Sequence, residues 1–365
     1  MKKNALKKAS AVLLSIALAA SLAACGSSSS DSSSEDTEET AEEVTEEAEE
    51  ETEEAAEEEP AEETEEAGEE EAEEEEEAAE EEEEEDISIA IDKDAFDALV
   101  ASGPVADDDT IASSEWATAV KEAGVLRVGG TRTSYLFSQL DETDNGLRGF
   151  DAGLYQLLAR YILGDETAYE LTQVDSSTRE SVLQSDQVDV VFATYSITDA
   201  RKEVISFAGP YYTSQQAVLV AAGNTEITGI ESLTEGVIVA TQAGSTGPEI
   251  LEEYAPDAEV QEFETDQEAR TALEQGRVDA YVTDYTLLLN AIVKNPDAYE
   301  IAGDVFGPED NYGIGLPLDS DGVEFVNEFL QLIEDEGIWT DLWQISLGDR
   351  TGIDTAPEAP AIGTD

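Results

Sequence analysis

Along residues 125–333 short apolar runs alternate with stretches in which apolar residues recur every three or four positions. The runs read as sheet strands, and the recurring stretches as helices with one core-facing side. Strands are predicted at 125–129, 169–174 and 188–192, with helices at 152–163 and 178–184 between them. The rhythm then repeats, with strands at 237–240, 260–263 and 278–283 and helices at 248–254, 267–275 and 285–293. Alternation of this kind builds a mostly parallel sheet flanked by helices, and two such series predict two α/β lobes. Extended apolar segments at 217–222 and 312–317 fall between and after the series, so the chain crosses between the lobes twice, and paired crossings make a hinge. A helix at 323–333 then completes the first lobe. This divides the folded part into lobe 1 at 111–216, a hinge strand with lobe 2 at 217–316, the completion of lobe 1 at 317–347, and a peripheral tail at 348–365.

The N-terminal part has a different pattern. Lys2, Lys3, Lys7 and Lys8 precede an apolar run at 11–20 that is short for a membrane span and suits a secretory signal occupying residues 1–24. Leu22-Ala23-Ala24-Cys25-Gly26 resembles a bacterial lipobox, which implies acylation of Cys25 and a lipid anchor on the outer face of the membrane. Residues 31–86 then carry 36 Asp and Glu and no Lys or Arg. Such a segment has too little apolar surface to offset chain entropy, so a disordered, self-repelling tether is expected over 25–110. The short patch of Phe96, Leu99 and Val100, followed by the Gly103-Pro104 break, is counted with this linker.

Charge and composition then narrow the chemistry. From Ile87 onward 53 acidic residues face 13 basic ones, which argues against nucleic acid as a partner. A single cysteine allows no intramolecular disulfide. The absence of histidine removes Ser-His-Asp catalysis and histidine metal sites, so no metal or cofactor is expected.

Candidate chemistry gathers where predicted strands end. Thr194, Tyr195 and Ser196 follow an apolar strand, Thr198 and Asp199 are helix-capping types, and Arg201 adds a planar cation. A helix start beside a guanidinium suits a carboxylate. The alternative is an ordinary capped helix with a surface arginine. Thr246, in Gly244-Ser245-Thr246 before Pro248, marks a second helix start, and Asp284 occupies either an N-cap or a ligand position. Arg179 is either a helix-surface residue paired with Asp175 or Glu180, or a cation directed at a ligand. Tyr135, Phe137, Tyr195 and Tyr212 sit near strand ends, where packing is the commoner role.

Taken in order, Gly149-Phe150-Asp151, Val188-Asp189-Val190, Ser196-Ile197-Thr198-Asp199-Ala200-Arg201, Phe207 with Pro210-Tyr211-Tyr212, Gly244-Ser245-Thr246, Gly276-Arg277-Val278-Asp279-Ala280 and Asp284 resemble the amino-acid-binding solute-binding proteins of bacterial ABC importers, over 125–347. The resemblance implies a two-lobed periplasmic-binding-protein-like fold and a ligand held between the lobes. It assigns Arg201, Thr194, Ser196, Thr246 and Ser245 to the ligand α-carboxylate and Asp284 to the α-ammonium. Arg179 matches the position at which glutamate and aspartate binders carry an arginine; Arg132 is a second candidate cation, and Tyr195 joins the binding set. The polar loop at 131–136 departs from the family's proline-aromatic entry, which bears on ligand identity. The implied protein is a monomeric, lipid-anchored receptor, not an enzyme, delivering glutamate or aspartate to an ABC permease and ATPase. The alternatives are a sensor or surface module, or a small-acid dehydratase on the same scaffold; the latter needs a positioned proton donor besides the clamp.

Overall fold

A computed structural model describes residues 90–363. The signal segment, Cys25 and the acidic run at 31–86 lie outside the described residues. The fold begins earlier than expected, with α1 (Lys93–Ser102), α2 (Asp108–Ile111) and α3 (Glu115–Ala123). Asp92 caps α1 by accepting from the Ala95 N–H, and Phe96 and Val100, four residues apart, are fully buried in the lobe 1 core. The linker boundary expected at Thr110 is therefore corrected to about Asp92. An i, i+4 apolar pair is the least a helix needs to dock, and it reads as an isolated patch when its partner surface is distant in sequence.

Lobe 1 continues through β1 (Leu126–Gly130), a small antiparallel sheet of β2 (Thr133–Ser134), β3 (Ser138–Asp141) and β4 (Gly146–Arg148), then α4 (Phe150–Leu163), β5 (Tyr169–Gln173), α5 (Arg179–Gln184), β6 (Val190–Ser196) and α6 (Asp199–Lys202). The chain then crosses on β7 (Ser206–Ala221) into lobe 2, formed by β8 (Ile238–Gln242), α7 (Gly247–Tyr254), β9 (Glu259–Phe263), α8 (Asp266–Glu274), β10 (Ala280–Asp284) and α9 (Tyr285–Lys294). It returns on β11 (Tyr299–Leu316) and closes lobe 1 with α10 (Gly322–Asp335), α11 (Ile338–Trp343) and α12 (Asp349–Thr351).

The main sheet has the order β5-β1-β6-β11-β7-β10-β8-β9. β1 is parallel to β5 and β6, and β8 is parallel to β9 and β10, while β11 and β7 run antiparallel to each other and to their outer neighbours β6 and β10. The crossings are thus much longer than the segments 217–222 and 312–317 predicted, because each strand pairs with one lobe at one end and with the other lobe at the other. Register shifts between Ala302 and Asp310 interrupt the β11–β7 pairing midway, and beyond them β11 also pairs with β6 from Tyr312.

Side chains alternate across the lobe 2 sheet, sending Ala217, Leu219 and Tyr281 to one apolar cluster and Val218, Val220 and Val282 to the other. Lobe 1 has the larger core, in which Phe137, Phe150, Tyr211 and Trp339 are fully buried. Trp339 anchors α11 there, its Nε1–H donating to the Tyr211 carbonyl at 2.9 Å. The tail is not merely peripheral. Arg350 is buried and donates to the Tyr135 carbonyl at 2.7 Å, and the Gly363 N–H reaches the Gly209 carbonyl at 2.8 Å.

Candidate functional site

The lobes meet along the ends of their parallel strands. Arg201 Nη2 donates across the cleft to the Gly244 carbonyl at 3.0 Å, and Asn290 on α9 accepts from the Leu136 N–H at 2.7 Å. Gly244 has φ +72° and lies so close to lobe 1 that a Cβ would sit 2.9 Å from the Ser176 oxygen, so both backbone conformation and space require glycine there.

On the lobe 1 side, Thr198 caps α6 through the Arg201 N–H. Arg201 is not an exposed surface arginine: it is buried, donates to the Ser196 carbonyl at 2.7 Å and lies 3.5 Å from Glu180. Arg179 is 3% exposed, donates to the Ala193 carbonyl at 3.1 Å and lies 4.0 Å over the Tyr195 ring. It forms no ion pair with Asp175 or Glu180, so the surface-pair alternative is excluded. Burial, with Arg201 close by, lowers the Arg179 pKa to about 10. Its Nε–H is buried without a hydrogen-bond partner among the described residues. The Arg201 guanidinium also lies against the Tyr195 ring, at 5.2 Å, and the Tyr195 hydroxyl donates to Glu180 at 2.6 Å.

Thr194 lies within β6 and not after it, at φ +42°, an unusual conformation for a β-branched residue. Its N–H donates to Asp151 at 3.1 Å, and the Tyr211 hydroxyl donates to the same carboxyl at 2.7 Å. Asp151 is fully buried, and desolvation raises its pKa to about 7. The first residues of α4 thus hold the strained end of β6 beside the cleft.

The opposite side is acidic. Asp284 begins α9 without capping it; its carboxyl instead accepts from the Gln216 amide and, at 2.6 Å, from the Tyr312 hydroxyl. The N-cap reading therefore fails at this position. Thr246 makes no capping bond either, and its hydroxyl donates to Asp310 at 3.2 Å. Ser245 turns into the local backbone, donating to the Gln242 carbonyl and accepting from the Gly247 N–H. Arg132 is not gathered with the other cations: it donates to the Leu171 carbonyl at 2.8 Å and lines an outer pocket with Arg148 and Tyr169. The structure thus brings Arg201, Arg179, Tyr195, Thr194, Ser196, Thr246 and Asp284 to one cleft and leaves Ser245 and Arg132 to other work. Phe137 and Tyr212 pack edge to face in the lobe 1 core at 5.6 Å. Asp310 and Gln216 were not singled out by sequence, where they carry no motif, and Glu180 was named only as a surface partner for Arg179.

Two lobes joined by paired crossing strands, with charged side chains of both signs buried where the lobes meet, define a hinged binding protein. The chain belongs to the bacterial extracellular solute-binding proteins, family 3, which it matches over residues 126–345. It is 34% identical over 207 residues to the glutamine-binding protein of Geobacillus stearothermophilus, covering 57% of this chain and 78% of that protein. The glutamate-binding protein GluB of Corynebacterium glutamicum is 31% identical over 238 residues, 62% of this chain and 80% of that protein. An ancestral arginine-binding protein bound to arginine is 33% identical with a TM-score of 0.57, covering 62% of this chain and 99% of that one. These relatives are solute-binding proteins, not enzymes.

Proposed function

We propose that this protein is an exported receptor, anchored through an acylated Cys25, that closes its lobes on a polar or acidic L-amino acid, glutamate or aspartate favoured, and delivers it to an ABC permease. In this reading Arg201, with Thr194, Ser196 and the start of α7, takes the α-carboxylate, and Asp284 takes the α-ammonium. Relatives named for glutamine and glutamate binding support the amino-acid class. The choice of an acidic ligand rests on Arg179: two guanidiniums lie against one ring, Glu180 is within ion-pair distance of Arg201 and not of Arg179, and the Arg179 Nε–H has no partner among the described residues. A distal carboxylate supplies the missing acceptor, and guanidinium geometry favours pairing with one. Closure then follows from contacts the ligand makes to both lobes in the closed state alone.

Titration calorimetry of glutamate and glutamine against the wild type and Arg179→Met tests this reading. Glutamate is expected to lose affinity by at least roughly tenfold more than glutamine, since a carboxylate left without its charged partner is the costlier loss. Equal losses remove Arg179 from the side-chain pocket.

A further inference from the structure

The acidic side of the cleft holds one carboxyl more than an amino acid's ammonium needs. Asp284 ends β10, directly opposite Gln216 on β7, and Asp310 approaches from β11. They are 5% and 9% exposed and share one donor, the Gln216 amide. Gln216 donates to both, at 3.5 Å to Asp310, while Thr246 adds a hydrogen bond to Asp310 at 3.2 Å. Among the described residues neither acid forms an ion pair. Two carboxyls buried around one amide donor favour a single proton between them, because both cannot readily ionise side by side out of water.

The other charged and titratable groups acting on the pair are Tyr312 from β11, Arg179 from α5 and Arg201 from α6. Neither arginine hydrogen-bonds to an acid of the pair. Desolvation first, and for Asp284 the nearby Asp310 charge next, holds these carboxyls above the ordinary carboxylate range. A further feature indicates what the cluster is built to receive. Gln216 Oε1 is buried without a partner, so the cluster offers three acceptors: Asp284, Asp310 and this amide oxygen. An alkylammonium presents three N–H donors and one positive charge.

We infer that Asp310 and Gln216 complete the ammonium pocket with Asp284, and that the proton shared by the two carboxyls leaves to solvent as the ligand ammonium enters. Charge balances: a singly negative pair and a cation become a doubly negative pair around that cation, plus one proton in the buffer. The inference rests on the amino-acid reading above, and it makes the crossing strands themselves part of the binding site.

The test is titration calorimetry of the mature protein with glutamate and with glutamine, near pH 6, in buffers of different ionisation enthalpy. The observed enthalpy is expected to vary with the buffer, with a slope close to one proton released, and affinity is expected to rise with pH by up to roughly tenfold per unit. In Asp310→Asn the slope falls to zero and affinity at pH 8 drops by at least roughly tenfold. A slope of zero in the wild type, or unchanged affinity in Asp310→Asn, overturns the inference. If neither amino acid binds, the amino-acid reading fails instead, and thermal unfolding without ligand still judges the shared proton. The wild type should then lose melting temperature relative to Asp310→Asn as pH rises from 5 to 8, and parallel curves reject it.

Discussion

The two sides of the cleft are built on different principles. On lobe 1 each cation donates to a carbonyl of β6 and lies against the Tyr195 ring, and Glu180 is the acid within ion-pair distance of Arg201. On the crossing strands and lobe 2 the acids are kept together and bridged by an amide and hydroxyls. In the proposed reading the two cations act singly on an anion, so removing one should weaken binding without rearranging the other. The acids form a network whose members constrain each other. The cationic side also borders lobe 1's large aromatic core, to which β6 contributes Val190 and Phe192.

That core gives the largest expected effect. Phe96→Ala removes a fully buried ring beneath lobe 1, and about 3–5 kcal/mol of stability should be lost in urea unfolding. A cost no greater than that of a surface substitution would return residues 93–102 to the linker. Next comes Arg201→Ala, expected to weaken amino-acid binding by about 2–5 kcal/mol, because a carboxylate is left without its buried partner. Unchanged affinity by calorimetry would show that the cations do not act as separate binding groups. Arg179→Met sharpens the same side, changing which amino acid is preferred.

The smallest expected effect lies behind the site. Asp151→Asn leaves either the Thr194 N–H or the Tyr211 hydroxyl poorly paired, at a cost of about 1–3 kcal/mol at pH 5. It should also change the pH profile. The folded pKa of Asp151 is raised to about 7, above the ordinary aspartate value. The stability it confers is therefore complete below about pH 4 and is lost as pH rises through about 7. Urea unfolding at several pH values should show the wild type declining through that window more steeply than the variant. Matching slopes would mean that Asp151 does not hold a proton at low pH.

Much of this was readable before folding. The alternation of runs and helical stripes located every strand of the parallel sets and the helices between them to within a few residues, because burial on one face leaves a period in the sequence. The stretch from Thr194 to Arg201 and the positions of Thr246 and Asp284 were equally legible, since helix starts use few residue types. The lengths of β7 and β11 were not, because strands whose outer neighbours belong to different lobes at their two ends have no single face pattern. Arg132 misled for a similar reason: its position in a polar loop after β1 is consistent with the cleft, but its side chain lies back along the edge strand β5.

What the sequence by itself determined was the α/β class, the two lobes and the family, all of which rest on local periodicity and short motifs. Only the tertiary structure decided that Phe96 belongs to the core, that Arg179 is buried against Tyr195, and that Asp310 and Gln216 meet Asp284. Those three acid-side residues lie on three strands, separated by 68 and 94 positions from Gln216. An acid's meaning depends on whether water or another carboxyl surrounds it, and sheet pairing alone sets that.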